Sequence, residues 1–131
     1  MRIVWLASYP KSGNTWLRFL LCNYIYGEIT RSEEVGHRIP DIHAANGDLP
    51  NPEGQQPLLC KTHLILNKNH PHVDKTNAFI QVVRHPKDVL LSNLHYAKLA
   101  KPGGQINETA FCTEFINQMG VLRWRELGMC C

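Results

Sequence analysis

Residues 2–8 form a short apolar run with β-branched and aromatic members, Ile3, Val4 and Trp5 among them, which is the pattern of a buried strand. A polar turn follows at Tyr9-Pro10-Lys11-Ser12-Gly13-Asn14. The period then changes. Trp16, Leu17, Leu20, Leu21 and Tyr24 recur at three- and four-residue steps, which predicts a helix to about Tyr26 with one wide apolar face, and Gly27 is placed to stop it. Periodicity is lost over residues 31–57, where Pro40, Gly47, Pro50, Pro52, Gly54 and Pro57 punctuate a polar stretch. This reads as a long loop with one helical turn near Glu33–His37, and a loop of that length is commonly a lid or a binding segment.

Residues 58–63 read as a second short strand that ends in polar groups, and residues 78–83 as a third. Arg84-His85-Pro86 opens another helix, because Pro86 suits the first helical position, where its missing N–H costs nothing. Leu90, Leu94 and Ala97 continue along one face of it. After a break at Pro102-Gly103-Gly104, Asn107 is placed to cap a last helix whose buried stripe is Phe111, Phe115, Ile116 and Met119. Strands alternating with helices predict an α/β fold, a P-loop-like parallel sheet flanked by helices. Ligands sit at the carboxyl ends of the strands in such sheets. The turn after the first strand, the tail of the second and the turn after the third should therefore meet in one crevice.

Length and composition narrow the function classes. A chain of 131 residues fits one domain, and 44% apolar residues supply a core, which excludes a disordered tail or a coiled coil. No apolar run approaches the ~20 residues that a bilayer requires. The N-terminal run is also too short for a secretory signal, so a cytoplasmic protein is expected. The net charge of +3 is too weak and too scattered for nucleic acid, and suits one local anion site instead. Five cysteines without a C-x-x-C spacing indicate neither zinc nor a disulfide framework, and read as thiols in a reducing compartment.

Three places hold candidate chemistry. A strand, then Pro-Lys-Ser-Gly-Asn-Thr, then a helix is an arrangement for holding an anion: unpaired helix N–H groups, a close approach at Gly13, the Lys11 charge, and polar contacts from Ser12, Asn14 and Thr15. It departs from G-x-x-x-x-G-K-[ST], which weakens an ATP reading, and an ordinary capped turn is the structural alternative. Lys61 and His63, two apart on a strand, share a side, with Thr62 opposite. An imidazole there suits proton removal from a hydroxyl, and a cation beside it favours its neutral form. Arg84 at a strand end, with Ser92 about two turns further on, suits a phosphate, the alternative being a surface Arg and a helix Ser. His37 and His43, in the long loop, either face an acceptor or are solvated. His70-Pro71-His72 lacks a third ligand at metal-binding spacing.

Ser8-Tyr9-Pro10-Lys11-Ser12-Gly13-Asn14-Thr15-Trp16 resembles the T-Y-P-K-S-G-T-T-W loop of sulfotransferases that use 3′-phosphoadenosine 5′-phosphosulfate (PAPS), with Ser8 and Asn14 as departures. Lys61-Thr62-His63 is similar to the family's K-[ST]-H, and Leu64 is followed by Ile65 where Pro is usual. Val83 to Ser92 resembles V-x-R-[NH]-P-K-D-V-x-x-S. The resemblance runs from about residue 2 to residue 125, and the family's later R-K-G segment has no counterpart here, so residues 1–131 read as the N-terminal part of a single sulfotransferase domain.

The resemblance implies sulfuryl transfer from PAPS to an acceptor hydroxyl or amine, on a small molecule or a glycan, without a metal. It implies that Lys11 and the backbone of Ser12–Thr15 hold the 5′-phosphosulfate and that Lys11 and Lys61 stabilise charge on the leaving phosphate. In the same scheme His63 is the general base, Arg84 and Ser92 fix the 3′-phosphate, and Trp16 stacks on adenine or packs in the core. The sequence leaves two rivals open: a nucleotide-binding remnant without turnover, and a phosphoryl-transfer enzyme, against which the end of strand three in Arg84 rather than Asp speaks. A second copy or a partner chain is expected over the open sheet edge.

Overall fold

The structure is a computed structural model that describes residues 1–44, 49–51, 54, 56–101, 103–118 and 120. In chain order the elements are β1 (Ile3–Ser8), α1 (Asn14–Tyr26), α2 (Ser32–Arg38), β2 (Leu58–Thr62), β3 (Thr76–Val82), α3 (Pro86–Ala100) and α4 (Glu108–Asn117), with a single 3₁₀ turn at Val73–Lys75. The chain divides into two compact units, Met1–Val83 and Arg84–Cys131.

The first unit holds the sheet. Its order is β2-β1-β3 and all pairings are parallel, as the strand–helix alternation predicts. The apolar run of β1 is central because it must be covered on both faces. Ile3 and Trp5 pack with Ile42 and Cys60 on one side. Leu6 packs with Cys22, Val35 and Ile39 on the other, where Leu17, Leu21 and Leu59 close the cluster. Strand alternation separates these two sets. Burial of the Cys60 thiol pushes its pKa up to about 12, so it behaves as an inert apolar group.

The residues before β2 do more than the loop reading anticipates. Ile39 packs on one face of the sheet and Ile42 on the other, so the chain between them wraps the outer edge of β2. There the Lys61 N–H donates to the Pro40 carbonyl at 2.8 Å and the Ile42 N–H to the Lys61 carbonyl at 3.2 Å, with Asp41 bridging Lys61 in parallel register. Arg18 of α1 donates through Nε to the Ile39 carbonyl at 3.0 Å and fixes the start of this strap.

One expectation about packing is corrected. The apolar face of α1 splits: Leu17 and Leu21 join the core, whereas Trp16, Leu20 and Tyr24 are 76%, 62% and 89% exposed. The positions 16, 20 and 24 are an i, i+4, i+8 row, about a quarter turn from the row that carries 17 and 21, and a wide stripe lets one row face the sheet while the other does not. Strand β3 pairs with β1, and Phe79 and Ile80 are 56% and 43% exposed, so neither of its faces is covered.

In the second unit Pro86 opens α3, the His85 side chain accepts from the Lys87 N–H, and Val89 and Leu94 are the buried residues. Leu90 and Ala97 are half-buried. Asn107 caps α4 as expected, its side chain accepting from the Ala110 N–H at 3.0 Å. Phe111 and Phe115 stack at 6.5 Å. Ile116, expected in the buried stripe, is exposed, and Met119 lies outside the described residues. Cys130 and Cys131 lie outside them too.

Candidate active site

The turn after β1 is built from Pro10 and two left-handed residues. The Ser12 N–H donates to the Tyr9 carbonyl at 3.1 Å, and Lys11 sits at φ 68° in the third position of that turn, which requires positive φ in a type II turn. For a residue with a Cβ this conformation costs roughly 1–2 kcal/mol, and such strain gathers at functional loops. Gly13 at φ 109° then reverses the chain into α1. Alternation of left- and right-handed residues turns successive N–H groups toward one side and forms an anion-binding concavity. No side-chain cap closes the first turn of α1, and that turn holds no acidic residue. The N-terminus therefore keeps its partial positive charge unanswered by any carboxylate of its own.

Asn14 behaves differently from the expectation that its side chain contacts an anion. It is 4% exposed, and its Nδ2 donates to the Leu6 carbonyl at 2.7 Å and to Ser8 Oγ at 3.0 Å. The amide group is held inside, tying the start of α1 to the end of β1, and only the Asn14 backbone remains for a ligand. Its Oδ1 is buried without a hydrogen-bond partner. Thr15 and Trp16 are exposed. The 76% exposure of Trp16 excludes the core-packing alternative for its side chain within the described residues.

The tail of β2 arrives beside this turn. His63 Nδ1 lies 2.7 Å from the Ser8 carbonyl and 3.3 Å from Ser8 Oγ. A carbonyl only accepts, so Nδ1 carries the proton and the lone pair of the neutral ring is on Nε2. Burial lowers the His63 pKa below its ordinary 6.5; the Ser8 carbonyl opposes this, and the Lys61 and His43 charges add to the lowering. The ring is thus neutral near pH 7, the form that can accept a proton. Ser8 connects the two turns, since its hydroxyl receives Asn14 Nδ2 while its carbonyl receives the imidazole.

Lys61 and Thr62 divide between the faces as the alternation predicts. Thr62 is buried, 3.4 Å through Oγ1 from His70 Nε2, and His70 in turn meets the edge of the Trp5 ring at 4.6 Å. With Nδ1 bonded to the Pro71 carbonyl at 2.7 Å, His70 is a packing residue of the core. Lys61 is not presented as an unpaired cation: its Nζ donates to Asp41 Oδ2 at 2.5 Å. Burial alone would raise the Asp41 pKa, but the hydrogen bond and charge of Lys61 outweigh it and hold the carboxyl below its usual range.

Arg84 and Ser92 belong to the second unit, Arg84 just before α3 and Ser92 half-buried within it. Sequence reasoning missed Asp41 and left His43 undecided. His43 Nε2 accepts the backbone N–H of His63 at 2.9 Å, and the two rings stack at 5.4 Å between centroids. Spacing could not reveal this, because the partners are twenty residues apart across a loop without periodicity. Among the described residues no helix is long and apolar enough to cross a membrane, and no group of three or more His, Cys, Asp or Glu is placed to hold a metal ion.

A turn with positive φ at Lys11 and Gly13, a helix start without a side-chain cap and a neutral imidazole gather at the carboxyl end of a parallel sheet, where α/β proteins bind ligands. The particular family is shown by comparison. Residues 2–124 match the sulfotransferase domain family, and the chain belongs to it. Sulfotransferase 2B1 of Homo sapiens is 29% identical over 123 residues, covering 86% of this chain and 31% of that protein. Sulfotransferase 1E1 of Mus musculus is 31% identical over 102 residues (70% of this chain, 34% of that protein). Sulfotransferase 1A1 of Bos taurus is 31% identical over 108 residues (73% and 36%). The chain spans about a third of the length of these relatives.

Proposed function

We propose that this chain carries the donor-binding and proton-accepting parts of a PAPS-dependent sulfotransferase. The single observation that carries the reading is the linkage of the anion loop to a neutral imidazole through Ser8. Lys11 and the N–H groups from Gly13 to Thr15 hold the 5′-phosphosulfate, the Ser12 N–H being spent on the Tyr9 carbonyl within the turn. The fit rests on the positive φ of Lys11 and Gly13 and on a first turn of α1 without acidic residues. Exposed Trp16 is available to stack on a base. Arg84 and Ser92 are assigned to the 3′-phosphate from the family motif that they match. PAPS supplies the sulfuryl group. His63 Nε2 removes the proton of an acceptor hydroxyl or amine, borne by a small molecule or a glycan, as that atom attacks.

Lys11 supplies charge toward the leaving phosphate. Lys61 acts at longer range, since Asp41 shares its ammonium; its field adds to the burial that keeps His63 neutral. The exposed faces of β3 support cover by further polypeptide, from a copy of this chain or another.

Calorimetry of the chain with 3′-phosphoadenosine 5′-phosphate and with ATP tests the reading. The first nucleotide is expected to bind more tightly, and Lys11→Ala and Arg84→Ala each to weaken it about tenfold or more, as the loss of a charge-assisted hydrogen bond predicts. His63→Ala is expected to retain binding and lose transfer. Equal affinity in wild type and Lys11→Ala overturns the loop assignment, a preference for ATP with Mg²⁺ favours phosphoryl transfer, and binding without transfer makes the chain a nucleotide-binding remnant.

A further inference from the structure

The geometry points to His43 as a positioning residue for His63: the strap on the edge of β2 delivers a second imidazole that fixes the backbone and ring plane of the proposed base. This rests on the reading of His63 given above, and concerns a residue outside the three motifs that carry it.

The His63 backbone N–H can only donate, so the 2.9 Å contact with His43 Nε2 requires an unprotonated Nε2. His43 is thereby fixed as the Nδ1–H tautomer. His63 is fixed as the same tautomer by the Ser8 carbonyl. The two rings lie 25° from parallel at 5.4 Å, so His43 limits how far the His63 ring can tilt on that side. One hydrogen bond holds the His63 main chain and another holds its ring, and they come from different elements: the strap and the end of β1.

The strap is itself anchored. Asp41 Oδ1 accepts the His43 N–H at 3.0 Å while Oδ2 takes the Lys61 ammonium. Asp41 thus places His43 and neutralises the neighbouring cation at once. The charged groups that face this pair are Asp41 and Lys61 for His43, and Lys61, Asp41 and His43 itself for His63. Arg18 adds a cation on the α1 side of Asp41.

Protonation of His43 has a defined consequence. An imidazolium has no lone pair at Nε2, so the bond to the His63 N–H is lost and a cation stands beside the ring meant to accept a proton. Burial and Lys61 lower the His43 pKa and Asp41 opposes them, which keeps the accepting form at neutral pH.

The test uses the whole chain, labelled with ¹³C and ¹⁵N at histidine, without nucleotide. Long-range ¹H–¹⁵N spectra at neutral pH are expected to show both His43 and His63 as Nδ1–H tautomers. In His43→Ala the His63 ring is expected to give mixed tautomer signals, and its backbone amide to exchange roughly three- to tenfold faster, the factor for one net hydrogen bond. His43→Gln offers an amide oxygen to the same N–H and is expected to restore slow exchange. Asp41→Asn keeps the Oδ1 acceptor and is a second variant should His43→Ala unfold by circular dichroism; it is expected to leave the His63 tautomer intact and, because the Asp41 charge raises the His63 pKa, to lower the His63 titration midpoint, the opposite direction to His43→Ala. An Nε2–H tautomer at His43, or a His63 tautomer and amide exchange unchanged in His43→Ala, overturns the proposal. Nucleotide binding is scored separately with 3′-phosphoadenosine 5′-phosphate: its absence removes the donor-site reading and leaves the imidazole coupling standing, while its presence with unchanged His63 signals in His43→Ala removes only the coupling.

Discussion

At the scale of single residues, function rests on which atom of each polar group is already engaged. His63 could serve either nitrogen to a ligand, but the Ser8 carbonyl takes Nδ1 and leaves Nε2. Asn14 and Lys61 look like ligand contacts in one dimension, yet the fold uses both, one for the Leu6 carbonyl and one for Asp41. Three histidines, His43, His63 and His70, have pKa values held below 6.5, in each case first by burial. The unfolded chain takes up these protons at higher pH than the folded one. Their contribution is therefore intact above 6.5 and is lost as pH falls through the lowered values. Asp41 acts in the same direction further down, below its ordinary 3.8. Urea unfolding at about pH 7.5 and about pH 5.5 should give a lower midpoint at the more acid value; an equal or higher one contradicts the buried neutral imidazoles.

At the scale of elements, the decisive pieces are the left-handed turn into α1 and the strap on β2. Gly13 has φ 109°, and a Cβ built there meets nothing within 4 Å, so Gly13→Ala isolates backbone strain from crowding. It should lower the unfolding free energy by roughly 1–2 kcal/mol, measured by urea denaturation, and weaken nucleotide binding as the N–H groups turn away. Unchanged stability would show that the turn does not hold that conformation. The strap explains why a proline-punctuated segment belongs in the core account. Ile39 and Ile42 bury on opposite faces, and the three residues of backbone from Pro40 to Ile42 satisfy an edge that would otherwise be bare.

At the scale of the whole molecule, the first unit exposes large apolar side chains on two elements, Trp16, Leu20 and Tyr24 on α1 and Phe79 and Ile80 on β3. The native chain is expected to bind an environment-sensitive apolar dye at neutral pH, with Leu20→Lys and Phe79→Lys each reducing the signal. No dye fluorescence above that of a closed globular control would mean that these faces are covered in solution. Strands β1 and β2 each bury most of their residues, whereas β3 is bare on both faces; the relatives are about three times as long as this chain.

Local chemistry was legible without coordinates. The apolar runs of β1 and β2 and the switch to a helical period after Gly13 follow from side-chain spacing, and their bounds hold to within about two residues. So do Gly27 as the stop of α1, Pro86 as the start of α3 and Asn107 as the cap of α4, because each acts through its own backbone geometry. The segments around Lys11 and His63 were equally visible as short matches to the family's motifs, and His63 Nδ1 comes within 2.7 Å of the Ser8 carbonyl at the start of the Lys11 turn. What the tertiary structure alone decided is which groups remain available. The tautomer of His63, the capture of Lys61 by Asp41, the inward turn of Asn14 and the delivery of His43 all depend on partners separated along the chain by several to fifty-five residues. A hydrogen bond is a statement about two atoms within reach, and only folding sets that distance.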